Sequence, residues 1–509
     1  MELDVKINKQ SHLPLYRQIS DAIKLSITEG RLSMGFRLPP MRLLARQLAV
    51  NRNTVASAYE ELIADGLIDS HVGRGTYVTE APRDGDLLQS ADAAPAKMPW
   101  EGLFAKSFDG PAVATLQDLF QVGTMEGYIS FAGSYPADAS LPIAEFRNCI
   151  NHALRRYGRS LLKYGATSGF APFQQFLAER MNKAGMTVQP ENVLVTNGSQ
   201  QALSLVAHLL LDPHDAVIVE NPTYSGAISV FSSLQAKLVG MPVDGHGMEV
   251  ADLEQAVARA KPKLIYCTPN YQNPTSGTMS LARRRRLLEI SRRYQVPILE
   301  DDYGGELRFA GETLPSIKAL DRAEQVIYMS TLSKSLIPGI RLGWVAGPVD
   351  LIGRLIAVKQ MDDFSTSPLL QAAAFEFCRR RYFKIHLEKT RRLYQRRCDR
   401  MLDALARYFP KGSVWNRPTG GMFIWVWLPE SVNSDAVFLE AKKLGVLFSR
   451  GNLFFIDGRG QNQMRLSFTT ATEAEIEKGV RILGRIIQAF LKKSKQPRYF
   501  STGESLPLV

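Results

Sequence analysis

Lys334 stands in the run Ser330-Thr331-Leu332-Ser333-Lys334-Ser335-Leu336-Ile337-Pro338-Gly339-Ile340-Arg341. A lysine between small hydroxyl residues, with an arginine seven positions on, can hold an aldehyde that carries a phosphate. The amine makes a Schiff base, while hydroxyls and a guanidinium grip the phosphate. Other segments offer what such a site needs. Thr196-Asn197-Gly198-Ser199-Gln200 follows an apolar run and opens a helical one, so Gly198 and Ser199 can present N–H groups and a hydroxyl to an anion. Alone, that pattern is weak. Tyr224, in Glu220-Asn221-Pro222-Thr223-Tyr224, can stack on a flat ring, and without its neighbours reads equally as a core tyrosine. Met464-Arg465-Leu466-Ser467-Phe468 supplies an arginine able to hold a carboxylate by two parallel bonds.

Near the start of the chain a different chemistry is on offer. Arginine pairs bidentately with guanine O6 and N7, and asparagine with adenine N6 and N7. A helix entering the major groove by its N-terminus would present Asn51, Arg52, Asn53 and Thr54 to base edges. Arg42, which opens the preceding helix, and Arg74, between two short strands, suit phosphates or the minor groove. Acidic and basic residues nearly balance over residues 1–80, so the pattern rather than the charge carries this reading.

Those residues need elements to place them. Apolar residues at 15, 16, 19, 23 and 27 form a helical stripe that Gly30 ends. Leu38-Pro39-Pro40 opens a second helix over about 41–48, with Leu43, Leu44 and Leu48 on one side. Asn51 caps a third, over 52–64, which buries Val55, Ala58, Tyr59 and Leu62. Residues 67–71 and 76–78 read as strands around a Gly73-Arg74-Gly75 turn. Three helices and a hairpin make a winged helix-turn-helix over 1–80. Small, polar, proline-bearing residues mark 81–126 as a linker, flexible at its start, whose Trp100, Leu103, Phe104 and Phe108 dock its second half on the body. From 127 to 490 apolar strands alternate with amphipathic helices. The runs 193–196, 216–219, 264–267, 297–300, 326–329 and 342–346 are near-continuously apolar, which predicts a mostly parallel sheet covered on both faces. Beyond about 375, a long arginine-rich helix and mixed strands and helices indicate a smaller α+β domain. Residues 491–509 read as a basic, disordered tail. The fold class is therefore multidomain, an all-α winged helix-turn-helix followed by an α/β body.

Two resemblances add to this. Gly35-Phe36-Arg37-Leu38-Pro39-Pro40-Met41-Arg42-Leu43-Leu44-Ala45, the 51–59 helix start and Gly73-Arg74-Gly75-Thr76-Tyr77-Val78 resemble the GntR-family DNA-binding domain, with Pro40 and Asn51 where serine is usual. Residues 127–490 resemble fold-type I aminotransferases, which use pyridoxal 5′-phosphate (PLP). That resemblance implies Lys334 as the Schiff-base and catalytic lysine. It also implies a phosphate shell of Gly198, Ser199, Gln200, Thr331, Ser333 and Arg341. Tyr224 would stack on the ring, Asp301 would face the pyridine nitrogen, and Asn273 and Tyr303 would serve the phenolate. Arg465 would take an effector carboxylate. Tyr164 would reach the partner subunit's phosphate in a homodimer. Two departures matter: Asn273-Pro274-Thr275-Ser276 ends in serine where glycine is usual, and Gly133-Ser134 replaces a Gly-Gly pair, which puts the Ser134 side chain near the carboxylate site. Together the halves resemble the MocR subfamily of bacterial regulators. This implies a PLP-dependent transcriptional regulator that binds a double-stranded operator and senses PLP, an amino acid or an amine through an aldimine on Lys334. An aminotransferase with an accessory DNA-binding arm is the alternative, and a scaffold without cofactor a third reading.

Composition bounds these readings. A chain of 509 residues suggests two or three domains. Hydrophobic content of 45% with 22% charged residues is that of a soluble globular protein. No apolar run reaches membrane length, and Met1-Glu2-Leu3-Asp4-Val5-Lys6 is no signal peptide, so a cytoplasmic location is expected. Cys149, Cys267, Cys378 and Cys398 have no paired spacing, which argues against a zinc site and fits a reducing compartment. A net charge of +12 permits nucleic-acid binding without demonstrating it. Arg283-Arg284-Arg285-Arg286 and Arg379-Arg380-Arg381 read as solvated helix faces.

Overall fold

The computed structural model describes residues 13–71, 75–79 and 127–494, together with residues 5, 7, 8, 98, 100, 103, 104 and 125. The chain divides into two compact units, Met1–Leu103 and Phe104–Val509.

In the first unit, helices span Leu15–Thr28, Met41–Gln47 and Arg52–Ala64. Ile19, Ile23 and Ile27, four residues apart, lie on one face and are buried with Val55, Ala58, Tyr59 and Leu62 of the third helix. Asn51 caps that third helix, its side-chain oxygen accepting from the Asn53 N–H at 3.0 Å. The buried Tyr59 hydroxyl donates to the Pro39 carbonyl at 2.8 Å, which fixes the entry to the second helix. Strands β1 (Ile68–His71) and β2 (Gly75–Val78) pair antiparallel. Two details differ from the sequence reading. Leu43 is half exposed, so Leu44 and Ala45 anchor the short second helix. The wing gains a third edge, because Arg37 bridges to Tyr77 and the Leu38 N–H bonds to Thr76. Arg74 lies outside the described residues.

The second unit holds two sheets. After β3 (Ile129–Phe131), a run of strands comprises β4 (Val193–Thr196), β5 (Ala216–Asn221), β6 (Lys237–Asp244), β7 (Gly247–Met248), β8 (Leu264–Cys267), β9 (Ile298–Asp301), β10 (Val326–Thr331) and β11 (Gly343–Ala346). They form one sheet in the order β4-β11-β10-β9-β8-β5-β6-β7. Pairings β6–β5, β5–β8, β8–β9 and β9–β10 are parallel, and β11 runs antiparallel between β10 and β4. All six strands expected from apolar runs are present. The β6–β7 edge escaped the sequence reading because β6 is partly exposed and not continuously apolar. The second sheet comprises β12 (Val414–Trp415), β13 (Phe423–Trp427), β14 (Val446–Arg450) and β15 (Gln463–Ser467), with β3 from the start of the body added parallel to β14. Long helices Tyr382–Tyr408 and Glu473–Ser494 accompany it, and the second reaches past residue 490.

Not every expected surface is a surface. Arg284, read as part of a solvated run, is fully buried. Its guanidinium donates to the carbonyls of Met279, Pro315 and Pro269 and to Asn270 Oδ1, at 2.7–3.1 Å. Four acceptors depend on one cation, so Arg284→Leu is expected to destabilise the chain by about 3 kcal/mol or more. Urea unfolding midpoints test this, with the exposed Arg285→Leu as control. Conversely, Trp100, Leu103 and Phe104, expected to dock on the body, are mostly exposed, and Phe108 lies outside the described residues. No helix among the described residues is long and apolar enough to cross a membrane.

Candidate functional site

The candidate cofactor residues gather where strands of the large sheet end. Loops leaving β4, β5, β8 and β10 carry Gly198, Tyr224, Asn273 and Lys334, Asp301 ends β9, and the carboxyl ends of parallel strands are where such sheets bind ligands. Because β11 is antiparallel, it brings Arg341 to the same edge from the opposite direction. Gly198 has φ +86° and opens the helix Ser199–Leu210. A Cβ there would lie 2.4 Å from Arg341 Nη2, so only glycine admits the guanidinium. Arg341 donates to the Asn197 carbonyl at 3.1 Å and to Ser333 Oγ at 3.2 Å. A fixed guanidinium at a helix N-terminus is a built anion cradle. Thr331 contributes differently from expectation. Its hydroxyl contacts the Leu342 carbonyl at 2.8 Å and Ser333 Oγ at 3.0 Å, and accepts from the Ser333 N–H, so it shapes the loop. Gln200 accepts from the Tyr224 hydroxyl at 3.0 Å and so sets the ring rather than the phosphate.

Three buried carboxylates occupy the last two positions of strands here, and their partners tell them apart. Both oxygens of Glu300 accept backbone N–H bonds, from Ile317 and Lys318. Glu220 accepts from the Thr268 N–H and from Gln272. Asp301 accepts from the Tyr266 hydroxyl at 2.9 Å through one oxygen, while its other oxygen is buried without a partner. Glu220 also has one buried oxygen without a partner, but Asp301 is the carboxylate that acts electrostatically on Lys334. Burial raises Asp301 to about 7. A buried carboxylate in that state is stabilised as an anion by a cationic partner. Tyr303 departs from expectation: its hydroxyl donates to the Tyr271 carbonyl at 2.6 Å, so its hydrogen is engaged. Ser276 adopts φ +54°, the left-handed conformation that explains why glycine is common there.

Lys334 Nζ donates to the Ser134 carbonyl at 3.0 Å and lies 5.9 Å from the centre of the Tyr135 ring. Its ammonium is pushed down to about 8, first by burial and then by Arg465 and Arg341. The Ser134 backbone, not its side chain, thus makes the contact with Lys334. Arg465 is buried with its guanidinium over Phe423 and Phe454, 4.1 and 4.8 Å from the ring centres. It donates to Asn273 Oδ1 and to the Ala132 carbonyl, each at 2.8 Å, and to Ser449 Oγ at 3.1 Å, while its Nε–H has no partner. Tyr135, Tyr266, Phe423, Phe454 and Ser449 were missed in the sequence. Each reads as an ordinary core or strand residue until sheet order brings it to the site. Tyr164 is 92% exposed and therefore not part of its own chain's site.

On the first unit, Asn51, Arg52 and Asn53 are exposed at the start of the third helix, Thr54 is half-buried, and Arg42 is exposed on the second. The Asn51 oxygen is engaged in the cap, which leaves its amide N–H groups for a ligand.

Comparison with known proteins matches this geometry. Residues 132–483 match the aminotransferase class I and II family, and residues 15–78 match the bacterial regulatory proteins of the gntR family. The uncharacterized HTH-type transcriptional regulator YdfD of Bacillus subtilis (strain 168) is 31% identical over 94% of this chain and 98% of its own. The chain belongs to the MocR group of GntR-type regulators. The probable rhizopine catabolism regulatory protein MocR of Rhizobium meliloti is 29% identical, over 94% of both chains. Among solved structures, LysN, the alpha-aminoadipate aminotransferase of Thermus thermophilus complexed with N-(5'-phosphopyridoxyl)-L-leucine, is 35% identical. It aligns at a TM-score of 0.73 over 78% of this chain and all of its own.

The cofactor of such a body is PLP, and the residues present fit it. The free buried oxygen of Asp301 suits a protonated ring nitrogen. The cradle that a Cβ at Gly198 would fill suits a phosphate, and the Ser335 hydroxyl beside Lys334 is buried without a partner.

Proposed function

We infer that this chain regulates transcription by reading an operator with its first unit and sensing PLP, or an amino compound joined to PLP, with its second. The observation that carries this is the coexistence of an exposed reading-helix start with a cofactor site whose buried Asp301 oxygen and Gly198 cradle are complete. PLP, when bound, supplies an aldehyde for an amine and an electron-withdrawing ring. The chain's own residues do the rest. Lys334 offers the amine, and Arg341, Ser333, Ser199 and the Gly198 turn hold the phosphate. Asp301 faces the ring nitrogen, Tyr224 stacks, and Asn273 serves the phenolate while its oxygen orients Arg465. Arg465 takes a carboxylate. The regulator works by population shift: a ligand that binds one body state better changes the share of DNA-competent molecules. A homodimer, head to tail, is part of this proposal, with the exposed Tyr164 reaching the phosphate of the other subunit. So is the organisation 1–80 reader, 81–126 linker, 127–490 body and 491–509 tail, the first four residues of the tail continuing the Glu473–Ser494 helix. The test is operator affinity of the full chain, measured with and without PLP. A protein whose affinity changes neither on PLP loading nor on adding amino acids or amines to the loaded form would contradict the reading.

A second reading keeps transamination, because the lowered Lys334 ammonium can carry a proton. Multiple-turnover keto-acid formation with a range of amino donors is the observation that would favour it.

The two arginines of the reader separate base from backbone recognition. Arg52→Ala is expected to cost about 1–3 kcal/mol on the cognate operator and to relax specificity at one position. Arg42→Ala is expected to weaken all duplexes alike and to lower the salt slope by about one. Isotherms on matched and mismatched duplexes at several salt concentrations decide this; identical behaviour of the two variants would remove the distinction.

A further inference from the structure

Residues 129–137 lie near the start of the continuously described part of the second unit, which runs from 127 to 494. Their carbonyls are tied down one after another. Ser130 accepts from the Thr470 hydroxyl at 3.1 Å, and Ala132 from Arg465 at 2.8 Å and Ser449 at 3.1 Å. Ser134 accepts from Lys334 at 3.0 Å, and Tyr135 from the Thr469 hydroxyl at 2.6 Å. Two of these four carbonyls are therefore held by the cations that take the cofactor and the effector.

We propose that ligands compete with this segment for Lys334 and Arg465, so that their binding partly releases residues 132–135. The proposal rests on the sensing role given above to those two residues.

Each competition follows from counting hydrogens. When the neutral Lys334 amine condenses with the PLP aldehyde, a C=N bond forms. The aldehyde oxygen and both amine hydrogens leave as water. The nitrogen then has no hydrogen for the Ser134 carbonyl. Arg465 has two edges that can grip a carboxylate by parallel N–H bonds, Nη1–Nη2 and Nε–Nη2, since Nη1 lies on the Cδ side. Both edges contain Nη2, which already donates to the Ala132 carbonyl and to Ser449 Oγ. A carboxylate gripped through Nη2 therefore competes with those two acceptors for that nitrogen. What remains on the segment is the Thr469 and Thr470 bonds, the Ser449 bond to the Ala132 carbonyl and the β3–β14 pairing, so release is partial and confined.

Hydrogen–deuterium exchange on the full chain tests this, following peptides that span 129–137. PLP probes the Lys334 bond, and N-(5'-phosphopyridoxyl)-L-leucine, which brings a carboxylate without condensing with Lys334, probes the Arg465 bond. Each is expected to speed exchange in the segment roughly fivefold. In Lys334→Ala the segment exchanges fast from the outset, and PLP adds nothing. Thr469→Val removes one remaining tether and is expected to raise exchange without ligand. Unchanged exchange in Thr469→Val, or PLP seen bound by absorbance with exchange in the segment unchanged or slowed, overturns the proposal. PLP that leaves no absorbance overturns it together with the sensing role. Operator affinity measured on the same samples separates the two ideas. Faster exchange with constant affinity sinks the regulatory reading and leaves the competition standing; changed affinity with constant exchange does the reverse.

Discussion

Lys334→Ala is expected to abolish both the absorbance of the bound cofactor and its covalent fixation by borohydride, while the chain remains folded. The side chain donates a hydrogen bond to the Ser134 carbonyl, and its removal leaves little else unsatisfied in the core. The chemistry, by contrast, has no substitute, because among the described residues no other amine is placed at the end of β10 beside Asp301 and the Arg341 cradle. A pH signature should accompany the wild type. Condensation needs the neutral amine, and Lys334 is pushed down from 10.5 to about 8. The initial rate of PLP capture should therefore rise with pH, reach half its maximum near 8 and level off above that, whereas an ordinary lysine would still be gaining steeply toward 10. Stopped-flow absorbance from pH 6 to 10 measures this. A variant that retains the band, with borohydride still fixing the cofactor, would show that another residue carries it.

Legibility in the sequence followed the range of the interactions. The third helix of the reader was complete in its pattern, because Val55, Ala58, Tyr59 and Leu62 are spaced for one face and Asn51 announces its cap. The six core strands were legible because burial on both faces leaves a continuous apolar run. Positions fixed by sheet order were not. Tyr266 sits in a run that reads as core, and becomes the partner of Asp301 because β8 lies beside β9. β3 belongs to a sheet whose other strands begin nearly three hundred residues later, so no local pattern reveals it. Arg284 misled because charge periodicity cannot tell a solvated guanidinium from one that ties four acceptors in the interior. Tyr303 and Thr331 carried the expected residue types, but their hydroxyls are engaged by nearby groups that only the folded loops bring close.

Arg465→Lys is expected to lower the affinity for carboxylate-bearing effectors by tenfold or more, with a much smaller effect on PLP capture by Lys334. The guanidinium lies over Phe423 and Phe454, and three of its hydrogens orient it through Asn273, Ala132 and Ser449. An ammonium cannot reproduce a planar fork, and each hydrogen bond to a charged group is worth about 1.5–3 kcal/mol. Charge adds a second, pH-dependent loss. Burial lowers Arg465 to about 10, so the arginine stays cationic at neutral pH. A lysine starts about two units lower than arginine and meets the same burial, as Lys334 shows by falling to about 8. The variant should therefore lose affinity relative to the wild type as pH rises from 7 to 9. Titrating amino acids against the cofactor band, in both proteins and at both pH values, measures the two effects separately. Equal affinities for every amino acid that perturbs the wild-type spectrum would remove Arg465 as the anchor. A wild-type spectrum that no amino acid perturbs would instead make PLP itself the signal.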